Sequence, residues 1–243
     1  MYHVFVRGIN NELIFSQSRE KNYFKRIIRK HLNKYSVEIY AYCIMSNHAH
    51  LMIKSNEISE LSMFMSKILA EYASYYNYKH KRNGHVFQDR FKSQIVEESR
   101  YFWTCIKYIH MNPVKAKMVS SVLQYKDSSI HEYKSGRGYI IHQNAIEKYL
   151  AKYDTWKNFL EYHNVYSEGI FLDTTEETEF RYLEIAWNIL WELKECEQVE
   201  NIVEILEEVG LREKYMQKMR VQMNISESKI KKLYREVKET LIK

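Results

Sequence analysis

The 243-residue chain holds one proline, six glycines and three cysteines. That scarcity of proline and glycine excludes a collagen-like or Pro/Gly-rich low-complexity polymer. Cys43, Cys105 and Cys196 stand far apart with no CxxC pair. Neither a disulfide framework nor a zinc ribbon is therefore expected, in keeping with a reducing cytoplasm. No apolar run approaches the roughly 18 residues of a membrane span, and the opening MYHVFVRGINN lacks the charged-then-apolar order of a secretory signal. A G-x-x-x-x-G-K-[ST] phosphate loop is also missing, which argues against an extra domain with nucleotide-binding loops.

What is present permits a packed core: 45% of the residues are hydrophobic, with 21 tyrosines and ten phenylalanines. A formal charge of +6 leans toward a polyanionic partner. Its distribution is uneven. Residues 176–210 carry eleven acids and two bases, whereas 211–243 carry ten bases and four acids, so a basic first part and a basic tail flank an acidic segment.

The first half alternates strand and helix patterns. Tyr2–Arg7 reads as a strand closed by Gly8 and the Asn10–Asn11 turn. Tyr23, Phe24, Ile27, Ile28 and Leu32 recur at helical spacing. Val37, Ile39, Ala41, Cys43 and Met45 alternate along one face of a second strand, and His48–Lys54 returns as its hairpin partner. A long amphipathic helix follows from Ile58 to Tyr76, and then an extended stretch over Val86–Glu97. Ser99 is the expected N-cap of a further helix ending near His110–Asn112, because Pro113 disfavours helical geometry at the residue before it. Strand, helix, strand, strand, helix, strand is the order of a ferredoxin-like α+β sandwich. We expect that domain over 1–133, a connector with partial helix over 134–175, and an all-α region over 176–243. In the last, Tyr215–Met223 and a second helix capped by Ser226 outline either a helix-turn-helix reader or a plain helical hairpin with a solvated basic face.

Two short stretches carry chemistry. In SNHAHLMI, His48 and His50 are two apart, so a strand sends both imidazoles to one face. With coordination positions left open, such a pair suits Mg²⁺ or Mn²⁺ sharing phosphate oxygens; alone it also fits two ordinary strand histidines. In KYIHMNPV, Tyr108 and Asn112 share a helical face. The pair reads either as a tyrosine beside an amide ligand or as a core aromatic beside a helix-ending cap.

SNHAHLMI, the extended GHVFQDRFKS and YIHMNPVKA occur in the order and spacing of the single-tyrosine HUH transposases, and YHVFVRGINN is similar to that family's first strand. The chain most resembles the branch associated with repetitive extragenic palindromes, over roughly residues 1–133. The resemblance implies that Tyr108 is the nucleophile and that His48, His50 and Asn112 hold the metal. It further implies a single-stranded or hairpin DNA partner, a 5′-phosphotyrosine intermediate and, with DNA as partner, a nucleoid-associated protein in the cytoplasm. Family members include dimers that exchange the tyrosine helix and also monomers, and both states stay open here.

Candidate DNA contacts are Arg82, Arg90 and Lys92 around the extended segment, with Lys115 after the tyrosine helix. Lys229, Lys232 and Arg235 are their counterparts in the tail. His110, two residues from Tyr108, is expected to face elsewhere. A DNA-binding regulator that keeps the fold without cleavage is the alternative function.

Overall fold

A computed structural model describes residues 1–96, 101–164, 175–223 and 225–242. The chain divides into two compact units, Met1–Leu172 and Asp173–Lys243. The first is built from β1 (Tyr2–Arg7), α1 (Ser18–Leu32), β2 (Val37–Ile44), β3 (His48–Ser55), α2 (Ile58–His80) and β4 (Lys92–Ile95). These are followed by α3 (Phe102–Lys115), α4 (Ile130–Ser135), α5 (Gln143–Tyr153) and α6 (Trp156–Asn164). The four strands pair antiparallel in the order β2-β3-β1-β4, the arrangement expected of a ferredoxin-like sandwich.

Period-two alternation divides the work of β3. Ala49, Leu51 and Ile53 pack into the core with α1 and α2, while His48, His50 and Met52 face the side that receives α3. β1 follows suit: Phe5 lies opposite His50 and Arg7 opposite His48, so His3, Phe5 and Arg7 share the histidine face. The N-terminus of α1 is tied to the C-terminus of α2 through Glu20. Its buried carboxylate accepts from Lys79 at 2.7 Å and from the Gln17 backbone at 2.9 Å, and it lies 2.8 Å from His80.

The structure corrects four local expectations. β2 does not keep one face: Ile39 pairs with Ile53 and Ala41 with Met52, so Tyr40 is an extra residue and the alternation inverts across it. The stretch after Gly84 is not one strand. Val86 O and Gln88 N bond Ile9 N and Arg7 O, yet Phe5 is already in register with Lys92. Two surplus residues bow out over Asp89–Phe91, leaving Arg90 outside the ladder and only a short edge strand behind it.

The tyrosine helix runs through Pro113 to Lys115. Proline costs it only the bond to Ile109 O, and the buried faces of Ile109 and Pro113 hold the helical path. The bias that proline imposes on Asn112 is overridden by packing. The Ser99 cap lies outside the described residues. Finally, residues 134–164 do not form a connector: Ile140, Ile141, Ala145, Ile146, Tyr149 and Phe159 join the core of the sheet. His142 N also bonds Ile39 O on the β2 edge.

The second unit consists of α7 (Thr175–Cys196), α8 (Ile202–Glu207), α9 (Val209–Met223) and α10 (Glu227–Ile242), in mutual contact. α9 begins six residues earlier than its apolar pattern suggests. Among the described residues no helix is long and apolar enough to cross a membrane.

Candidate active site

The site begins at a turn. Gly8 N donates to Asn47 O at 2.8 Å, and Phe15 N donates to Ser46 O at 2.8 Å. These bonds pin the Ser46–Asn47 connection from which β3 departs. Asn47 Oδ1, an acceptor only, receives the Nδ1–H of His48 at 2.7 Å. That bond orients the His48 ring and leaves the lone pair on Nε2. The His48 and His50 rings stand 4.9 Å apart and nearly perpendicular, with Phe5 packed against both, 5.5 Å and 5.1 Å away. Both imidazoles are buried.

α3 brings Tyr108 over this pair. Its ring meets His50 edge to face at 5.6 Å and His3 in the same manner at 5.7 Å. Only 3% of Tyr108 is exposed. One turn later Asn112 is also buried, and its amide nitrogen donates to Tyr108 O at 2.9 Å, so Oδ1 is the end available to a ligand. Two turns from Tyr108, the Lys115 ammonium lies 5.5 Å from the tyrosine ring centroid.

A buried relay behind α3 fixes the helix. His163 Nδ1 donates to Phe159 O at 2.7 Å, so its Nε2 accepts from His110 Nδ1 at 3.0 Å. His110 Nε2 then accepts from Ser129 Oγ at 2.8 Å, and Ser129 Oγ in turn accepts from Tyr42 N on β2. Burial holds the His163 pKa down, to about 4, and lowers that of His110 as well. His110 therefore works as a neutral link between α3, α6 and the sheet, facing away from His50. Lys107 is likewise turned from the site, over the Tyr162 ring at 4.9 Å.

The structure thus brings His48, His50 and Tyr108 together, with Asn112 and Lys115 on the same helix. Among the candidate DNA contacts, Lys92 is exposed and shares the histidine face through its register with Phe5. Arg90 is exposed on the bowed segment. Arg82 is engaged elsewhere, in an ion pair with Glu12 and a bond to His85 O. In the second unit Lys229 lies over the Tyr182 ring at 4.4 Å, Lys232 is 3.7 Å from Glu179, and Arg235 is exposed.

Sequence reasoning missed His3. It is fully buried, and its Nε2 is 3.0 Å from His50 Nδ1. The alternation His3, Phe5, Arg7 carried the signal, since it assigns three side chains of β1 to one face.

The family model of IS200-like transposases matches residues 1–112, a span that includes both histidines, Tyr108 and Asn112. Over those residues the chain is similar to the IS200-like transposases. Among solved structures, a REP-associated tyrosine transposase bound to a REP hairpin is similar, with 19% identity and a TM-score of 0.47. That similarity covers 58% of this chain and 84% of the other. No curated protein matches the chain.

The side chains around His48 and His50 can be compared with what a metal ion requires. Among the described residues no group of three or more His, Cys, Asp or Glu side chains is arranged to hold one. A cation at His48 and His50 would therefore draw further oxygens from the Asn112 amide, water or substrate. Two imidazoles plus neutral oxygens is a set that Mg²⁺ or Mn²⁺ accepts, and the Asn47 bond already presents His48 Nε2 in ligating form.

Proposed function

We propose that this protein is a divalent-metal-dependent endonuclease and strand transferase for single-stranded DNA, acting on hairpin or palindromic substrates through a 5′-phosphotyrosine at Tyr108. The observation that carries the reading is the edge-to-face approach of Tyr108 to His50 within one chain, with the Asn112 amide one turn beyond.

A phenol, with an ordinary pKa of about 10, is a weak nucleophile at neutral pH. Mg²⁺ or Mn²⁺ held by His48, His50 and Asn112 would supply charge neutralisation at the phosphate and ease loss of the phenolic proton. Tyr108 Oη forms a bond to phosphorus, the phosphorus–O3′ bond breaks, and the departing 3′-oxygen takes up a proton. Energy stays in the phosphotyrosine ester, so a 3′-hydroxyl can reverse the step without ATP. Lys115 contributes positive charge beside the phenol, and Lys92 and Arg90 line the path of the DNA backbone. One chain supplies nucleophile and ligands alike, so a monomer suffices for the chemistry and a dimer is not required.

The burial of Tyr108 favours one alternative, a DNA-binding regulator that retains the fold but does not cut. Labelled single-stranded hairpin DNA, incubated with the protein and Mn²⁺ or Mg²⁺, separates the two. Strand cleavage that needs metal and is lost in the His48→Ala/His50→Ala double variant supports the enzyme. Tight binding by native protein without cleavage under any metal condition supports the regulator.

A further inference from the structure

β1 offers three side chains to the histidine face, and the first of them lies within hydrogen-bond distance of His50. His3 pairs in register with Met52, which makes it the diagonal neighbour of His50, within reach for a long or aromatic side chain. The two imidazoles stack, with centroids 5.2 Å apart and planes inclined by 19°, and His3 Nε2 lies 3.0 Å from His50 Nδ1. His3 also touches the Tyr108 ring.

One proton is shared across the contact between the two nitrogens, and its placement decides what His50 can do. If His3 donates, neutral His50 carries its own proton on Nε2 and has no lone pair there for a cation. If His50 donates from Nδ1, the Nε2 lone pair is presented. Ligating histidines behave in the second way, giving the other ring N–H to an acceptor that sets tautomer and angle. Asn47 does this for His48 through Oδ1. We propose that His3 is the matching positioning residue for His50: its Nε2 accepts the Nδ1–H of His50, fixes the ligating tautomer and holds the ring beneath Tyr108.

This inference rests on the metal site proposed above, and its test separates the two. Mn²⁺ binding to the full-length protein is measured by electron paramagnetic resonance, without DNA or turnover. The His48→Ala/His50→Ala variant should lose the site; if it binds Mn²⁺ as the native protein does, the metal reading itself fails and takes this inference with it. His3→Leu, which removes the acceptor but keeps the bulk, should weaken Mn²⁺ binding by about 10- to 100-fold. His3→Gln, which restores an acceptor oxygen, should recover most of the loss. Equal affinity in native and His3→Leu protein would overturn the role of His3 alone, as would a loss in His3→Leu that His3→Gln fails to recover.

A long-range ¹H–¹⁵N spectrum of the native protein reads the same feature without substitution and stands even if a variant does not fold. An Nδ1–H tautomer at His50 is expected, and an Nε2–H tautomer would contradict the proposal.

Discussion

The Tyr108 ring meets the His50 ring edge to face, with centroids 5.6 Å apart and planes at 83°. Sequence separates these residues by 58 positions. They meet because α3 packs on the sheet face that β3 reserves for its histidines. Both are anchored: His50 is hydrogen-bonded to His3, and α3 is tied from behind by His110, His163 and Ser129. Such fixation favours a reaction that needs a nucleophile in one orientation.

Lys115 is exposed, so its contribution can be removed with little damage to the fold. Lys115→Met should slow formation of the tyrosine–DNA adduct by roughly tenfold, the effect of about 1.4 kcal/mol of lost transition-state stabilisation. Unfolding by urea should be unchanged. Single-turnover kinetics check the first expectation, and an undiminished rate would remove Lys115 from the chemistry.

Gly8 tests the link between the first turn and the histidine strand. A Cβ at Gly8 would come 2.4 Å from Glu12 O and 3.0 Å from an Ile14 methyl, while the Gly8 N–H holds Asn47. Gly8→Ala should destabilise the domain by about 1–3 kcal/mol, the usual range for overpacking. It should also weaken metal binding through displacement of Asn47 and His48. Denaturation midpoints and Mn²⁺ titration report the two effects separately.

Glu20 is a structural carboxylate far from the chemistry. Burial alone would raise its pKa, but Lys79, the Gln17 N–H and His80 together hold it below the ordinary carboxylate value. Its stabilising contribution is thus present above about pH 4.5 and lost as pH falls through the lowered folded value. Glu20→Leu should destabilise the fold by about 1–3 kcal/mol, since it removes the shared acceptor of Lys79, the Gln17 N–H and His80. Urea denaturation at neutral pH measures this.

His163 gives a second acid-sensitive term. Its folded pKa of about 4 lies below the unfolded value near 6.5, so the unfolded chain binds more protons between those limits. Stability is complete above pH 6.5 and falls as pH drops toward 4, by up to about 1.4 kcal/mol per unit. His163→Gln cannot take up that proton. Its melting temperature should therefore fall less steeply over this window than that of the native protein, and parallel slopes would refute the assignment.

Much of this architecture is legible in the sequence because local pattern and tertiary role agree. β1 and β3 alternate cleanly, and α2 repeats Leu61, Met65, Ile68 and Tyr72 along one face. That His48 and His50 share a face follows from strand period, whereas their reading as ligands comes from the family resemblance. Other features depend on partners distant in the chain. The inversion at Tyr40 and the bow at Asp89–Phe91 exist only in the register with β3 and β1. Helix α3 survives Pro113 because burial outweighs a local bias. Residues 140–159 cap the β2 edge and fill the core, a role set by their contacts with β2 and not by their own pattern. His3 belongs to the site by a diagonal contact, which no linear spacing reveals.

The most direct measurement is a denaturing gel of protein incubated with labelled single-stranded hairpin DNA and Mn²⁺, comparing native protein with Tyr108→Phe. A metal-dependent covalent adduct in the native lane, absent from Tyr108→Phe while DNA binding persists, is the expected result. An adduct that survives Tyr108→Phe would move the nucleophile to another residue and contradict the assignment.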